Sequence, residues 1–216
     1  MFQVLLVLHV ISGSITLFAS VLAIASKLAD TAHNYHIWSG RAWFWGMVGI
    51  FVTGLGMSLI RGNPPMLFIS FLSFYMAWVG LRYAKNRKGE ALMFDQVIVG
   101  ASCLTFIGMI AYGIYGNFIL GEPFGTIIII FGVIGLLNSY NDFKHVRAGG
   151  LRGKARIAEH LSRMLGGTIA AVTAFFVVNL PPSLLVWLLP SIVLTPIIYI
   201  WANKINQGVR RKGMLS

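Results

Sequence analysis

His9, His33, His36, His145 and His160 are the five imidazoles of this sequence, and Asp142 is a carboxylate close to one of them. Imidazole with carboxylate is a donor set suited to zinc, iron or manganese. Two imidazoles from different helices can instead ligate haem iron from both sides. In helical register Asn138, Asp142 and His145 share a face at i, i+4 and i+7, so one edge presents an amide, a carboxylate and an imidazole. The residues opening a later segment, Glu159-His160-Leu-Ser-Arg163-Met164, place His160, Met164, Gly167 and Ala171 on one face. Earlier, His33 and His36 stand at an H-x-x-H spacing, and His36-x-x-x-Gly40-Arg41 leads into an apolar run.

Each of these residues also has a plainer reading. His9 shares its face with Gly13, Thr16 and Ser20, a small and polar stripe that turns toward neighbouring helices rather than lipid. There it is either a functional group or a neutral imidazole hydrogen-bonded to the next helix. His33 and Arg41 suit an interface, where arginine snorkels to headgroups. Asp142 is expected to be paired, with Arg41 or Arg163 as partner, so a structural ion pair stands beside the metal reading. Cys103, the single cysteine, excludes an internal disulfide and reads as a small core residue.

Several chemistries are absent from the sequence. It holds no P-loop, no G-x-S-x-G elbow, no H-E-x-x-H and no C-x-x-C-H. No lysine lies in the middle of the last apolar span, as a retinal Schiff base would need. In a soluble protein a net charge of +11 would suggest nucleic acid, but here the cations lie in short segments between apolar runs and no nucleic-acid motif accompanies them. They read as topology signals and as contacts to anionic headgroups.

The elements that must position these groups follow from composition. Of 216 residues, 57% are hydrophobic and 11% charged, against about 25% charged in soluble domains. The fold class is all-α, a polytopic membrane helix bundle. Seven spans are expected at about 4–26, 39–60, 66–84, 96–116, 125–143, 160–179 and 183–203, each near the ~20 residues that cross hydrocarbon. Gly62-Asn63-Pro64-Pro65, Gly121-Glu122-Pro123, Gly149-Gly150 and Pro181-Pro182 fall between them. Pro190 and Pro196 lie inside the seventh and are expected to kink it. On this division residues 1–204 are the seven-helix transmembrane domain and residues 205–216 a basic cytoplasmic tail.

Orientation follows from the cations. Sixteen Lys and Arg fall after spans 1, 3 and 5 and in the C-terminal tail, and only Arg61 falls after spans 2, 4 and 6. The N-terminus is therefore expected outside and the C-terminus in the cytoplasm. Trp38, Trp43 and Trp45 fit an inner aromatic belt and Trp187 an outer anchor. His9 then lies about 8 Å below the outer end of the first helix, at ~1.5 Å per residue. His36, Asp142 and His160 lie at the inner end, where one site could collect them.

The set of Leu8-His9 with Gly13, His36-x-x-x-Gly40-Arg41, His160-x-x-Arg163-Met164 and Thr173-Ala174-Phe175 resembles a family of multi-pass bacterial membrane proteins of unknown function. The resemblance covers most of the chain. It implies a bacterial inner-membrane location and weights His9, His36, Arg41 and His160 as a set, without implying an activity. Histidines on helices are also similar to those of membrane b-type cytochromes, by analogy only.

Three functions are compatible with this reading. The first is a redox or electron-transfer protein holding haem b or a transition metal at His36, His160 and Asp142, with His9 as a further cofactor-binding or relay group. Arg41, His33, Asn138, His145 and Arg163 would be the supporting polar residues. The second is a small-solute or proton-coupled transporter with His9 on the outer path and Asp142 and His160 on the inner one. The third is a non-catalytic accessory or assembly protein in which the polar residues lock helices together. The expected partners are the bilayer, with anionic headgroups on the cytoplasmic side, and a second copy of the chain. Nucleic acid is not expected.

Overall fold

The structure is a computed structural model that describes residues 1–29, 33–181 and 183–213, excepting the side chains at 33 and 206–213. Among the described residues there are seven α-helices and one π-helical turn: α1 (Phe2–Leu28), α2 (His33–Arg61), α3 (Pro64–Lys85), α4 (Met93–Ile114) continued by the π turn Tyr115–Ile119, α5 (Phe124–Arg147), α6 (Gly153–Asn179) and α7 (Leu184–Gly213). All seven are long and apolar enough to cross a membrane. The chain is a multi-pass, all-α membrane protein, and each expected span coincides with one helix, the fourth running on into the π turn and the seventh starting one residue before α7.

Several helices run past the expected spans. α5 continues to Arg147 and α6 begins at Gly153, so Asp142, His145 and Glu159 are all helical. The hydrophobic run marks only the part of a helix inside hydrocarbon, and a helix can continue among headgroups while exposing charged side chains. α2 shows the same effect and corrects an expectation. It begins at His33, so His36 is in its first turn rather than ahead of it, and Arg41 lies two turns in. Ser39 lies inside α2. Its hydroxyl donates to the carbonyl of Tyr35 at 2.6 Å, four residues back within the helix. α7 runs through Pro190 and Pro196 as one helix, and Pro182 lies outside the described residues.

The chain divides into two compact units, residues 1–81 with 163–195, and residues 82–162 with 196–216. In the first unit α1 packs on α2. The close approach comes from small residues, as expected for helices in lipid, where no hydrophobic force draws helices together. Thr16 and Ser20 are buried, and a Cβ on Gly46 would collide with the Thr16 hydroxyl. Ala19, Trp43, Phe44, Met47 and Ala77 form the core of this unit. Trp43 is 2% exposed, whereas Trp38 and Trp45 are 67% and 69% exposed. Trp43 is thus a core residue and not part of an aromatic belt, its indole N–H satisfied by the Thr168 hydroxyl at 3.1 Å. Phe51 stacks on Phe74 with ring centroids 4.4 Å apart, tying α2 to α3.

In the second unit α4 packs on α5, again over small residues. A Cβ on Gly125 would lie 2.5 Å from the Gly113 carbonyl oxygen, so these backbones approach as only glycine permits. Cys103 Sγ lies 3.2 Å from the Ser139 hydroxyl on the same helix pair. At the other end of α4 the connections 86–92 and 148–152 meet. Gly150, at φ +89°, lies on the Gly89 carbonyl so closely that a Cβ there would overlap it.

Candidate functional site

The end of the second unit marked by those two connections is where chemistry-bearing side chains gather. α3 contributes Tyr83 from its last turn, α5 contributes Asp142 and His145 three residues apart on one face, and α6 contributes Glu159. One ligand atom from each of Asp142, His145 and Glu159 lies within 4.8 Å of the others. Asp142 is 1% exposed, while His145 and Glu159 are half-buried. The Tyr83 hydroxyl donates to Asp142 Oδ1 at 2.7 Å and lies 3.2 Å from His145 Nδ1. The rings of Tyr83 and His145 meet edge to face, with centroids 6.4 Å apart.

The backbone beneath Tyr83 is also fixed. The last four carbonyls of a helix have no partner within it and need one from outside. Arg156 Nη1 supplies it for α3, donating to the carbonyls of Tyr83 and Ala84. Arg156 is three residues before Glu159, so the helix that contributes Glu159 also holds the turn that carries Tyr83. Arg82 and Asp95 form a two-pronged ion pair beside that turn, both bonds 2.7 Å. Asn86 closes the α3–α4 connection by donating to the Glu90 carbonyl at 2.7 Å and accepting from its N–H at 3.0 Å.

Three donors within 4.8 Å of one another could surround one ion after modest contraction. Two carboxylates and one imidazole are harder than a thiolate set and suit manganese, iron or zinc. The same chain His145, Tyr83, Asp142 could also pass a proton, because each member is within hydrogen-bond reach of the next.

The residues expected from the sequence are distributed as follows. Asp142 and His145 are in this group. Asn138 is one turn earlier on α5 and donates to the Ile134 carbonyl at 2.8 Å. His160 directly follows Glu159 and is half-buried; Arg163, in the other unit, is 4% exposed, and both make interactions of their own. His36 lies in the first unit, where its Nδ1 donates to the Ala23 carbonyl at 3.0 Å and closes the α1–α2 hairpin. His9 Nδ1 meets the Thr53 hydroxyl at 2.9 Å, and that hydroxyl donates to the Gly49 carbonyl at 2.6 Å. Ala23 is fourteen residues beyond His9 on α1, so the two imidazoles lie about 21 Å apart along that helix and do not share a centre. Arg41 is exposed. The side chain of His33 lies outside the described residues.

Tyr83 and Glu159 were not among the expected site residues. Tyr83 ends a span beside Arg82 and looks like any interfacial tyrosine. Glu159 stands next to His160 in the sequence, where the imidazole is the more obvious ligand of the two. No family model, curated protein or solved structure matches this chain.

Proposed function

We propose that this chain is a membrane metal protein that holds one divalent transition-metal ion through Asp142, His145 and Glu159, in the bacterial inner membrane with its C-terminus in the cytoplasm. The observation that carries this reading is the approach of one imidazole and two carboxylates to within 4.8 Å, from two helices, around a carboxylate that is 1% exposed. The donors favour a bare transition metal over haem, whose axial positions are usually filled by imidazole, thiolate or thioether rather than by two carboxylates. Orientation rests on the cations. The connections next to the site carry Arg87, Lys88 and Arg152, and the first turn of α6 adds Lys154, so the positive-inside rule favours the cytoplasmic face for it. A redox role would follow for manganese or iron. It would not for zinc, which has no redox chemistry.

The test is elemental analysis of the purified full-length chain, followed by titration of metal-free protein with Mn²⁺, Fe²⁺ and Zn²⁺. The expected result is about one ion per chain, lost in Asp142→Asn and Glu159→Gln. Protein that carries no metal and shows no saturable binding would overturn the reading.

A second reading is favoured by the hydrogen-bonded run of His145, Tyr83 and Asp142, which is a proton path without any metal. In that case the chain would be a proton-coupled transporter. Solute-dependent proton flux in liposomes, abolished by Asp142→Asn in protein free of metal, is its expected signature. Wild-type flux no greater than that of empty vesicles, or wild-type flux in Asp142→Asn, would dismiss it.

A further inference from the structure

The one hydroxyl proton of Tyr83 lies within reach of Asp142 Oδ1 at 2.7 Å and of His145 Nδ1 at 3.2 Å. An ionised carboxylate only accepts, while an imidazole nitrogen either donates or accepts. If the proton went to His145, the phenol oxygen would face a carboxylate oxygen at 2.7 Å with lone pairs on both sides. The proton therefore goes to Asp142, in the shorter and charge-assisted bond. His145 Nδ1 must then carry its own hydrogen and donate to the phenol oxygen. This leaves the lone pair of the neutral ring on Nε2, and among the described residues no hydrogen bond reaches Nε2.

We propose that Tyr83 is the positioning residue of this centre: its hydroxyl fixes His145 as the Nδ1–H tautomer, so that the ring binds metal through Nε2, and it orients the Asp142 carboxylate beside it. This inference rests on the metal reading above for its consequence, though not for the tautomer itself. Ligating histidines nearly always donate their other N–H to an oxygen, and losing that partner typically costs 10–100-fold in metal affinity. Here the oxygen is a phenol that is bonded in turn to a second ligand. Removing it takes one hydrogen bond from each of two ligands at once. The Arg156 bonds to the carbonyls of Tyr83 and Ala84 keep the ring in place, and a phenylalanine there loses the hydroxyl alone.

The experiment is ¹⁵N NMR of the full-length chain labelled at histidine, in detergent, with the His145 signals assigned by their loss in His145→Gln. The metal-free wild type is measured first. The expected spectrum has a protonated Nδ1 and an unprotonated Nε2, and added Zn²⁺ shifts Nε2. Tyr83→Phe is expected to lose the tautomer preference and to bind Zn²⁺ roughly 10–100-fold more weakly, while still unfolding cooperatively at a modestly lower temperature. An Nε2–H tautomer in the metal-free wild type would overturn the proposal, whether or not the variant folds. So would wild-type Zn²⁺ affinity in Tyr83→Phe. If the wild type takes up no metal, the metal reading fails, while the tautomer still decides the role of Tyr83.

Discussion

Arg82 holds Asp95 by two parallel bonds, Nε to Oδ1 and Nη2 to Oδ2, both 2.7 Å. The same carboxylate accepts the Leu92 N–H at 3.0 Å and so caps α4, while Arg82 also reaches the Glu90 carbonyl at 3.2 Å. One pair thus ties the end of α3, the connection and the start of α4. Removing one member leaves the other without its counter-charge where Asp95 is 8% exposed. Asp95→Ala is expected to cost about 2–3 kcal/mol, below the full figure for a buried pair because Arg82 keeps some solvent. Arg82→Lys keeps the charge but loses the fork and should cost about 1 kcal/mol. Equilibrium unfolding in detergent, run as a double-mutant cycle, checks both. Additive losses would show that the two side chains are not coupled.

Trp43 and Gly167 give a second measurable relationship. A Cβ on Gly167 would lie 2.8 Å from Trp43 Cη2, and the indole cannot swing aside without breaking its bond to Thr168. Gly167→Ala is expected to destabilise by about 1–3 kcal/mol, the usual cost of overpacking. Gly13→Ala is the control, because nothing lies within 4 Å of a Cβ there. It should be neutral or stabilise by up to about 1 kcal/mol, the helix propensity difference. Thermal unfolding followed by tryptophan fluorescence distinguishes the two. An unchanged melting temperature for Gly167→Ala would mean that the packing around Trp43 is looser than this geometry.

How far these relationships could be read from the sequence depends on what kind of signal carries them. The seven helices were legible because a bilayer imposes one length on each apolar run. The buried stripe of Thr16 and Ser20 on α1 was legible for a similar reason, since small and polar residues at helical spacing rarely face lipid. The helix ends were less so, because hydropathy falls where the lipid does and not where hydrogen bonding stops. This shortened α6 by one to two turns and took Glu159 and Arg156 for loop or border residues. Asp142 and His145 were found as neighbours because they share one helix. Tyr83 was not, since its place beside them depends on tertiary packing that no periodicity reports. Trp43 looks like Trp38 and Trp45 for the same reason, and no periodicity around Asp95 reports that it is buried.

The residues proposed to bind metal can be told apart by substitution. The sequence suggests His36, Asp142 and His160 as a set; the structure groups Asp142, His145 and Glu159. His145→Ala and Glu159→Gln should each reduce Zn²⁺ or Mn²⁺ affinity by at least about tenfold, since each removes one of three donors. His36→Ala should leave affinity unchanged, because its Nδ1 is engaged with the Ala23 carbonyl in the α1–α2 hairpin. Its expected effect is on stability, about 1 kcal/mol for one hydrogen bond. Calorimetric titration of purified variants measures the affinities. Loss of binding in His36→Ala with retention in His145→Ala would reassign the centre.

The side of the membrane from which an ion would reach the proposed site depends on orientation, and the second unit offers a direct measurement. Lys88 and Glu122 are exposed and lie in the connections on either side of α4 and its π turn, Met93–Ile119. Those 27 residues span about 40 Å, more than the ~30 Å hydrocarbon core, so the two positions emerge on opposite faces. Cys103 is the only cysteine, and Cys103→Ser gives a background without thiols. In that background Glu122→Cys is expected to react with a membrane-impermeant maleimide in intact cells. Lys88→Cys should react only after the membrane is opened. The cations beside Lys88 dictate this sense, because Arg87, Lys88, Arg152 and Lys154 would otherwise have to be translocated. The reverse labelling pattern would place Tyr83, Asp142, His145 and Glu159 at the outer face, and any ion they hold would then enter from the periplasm.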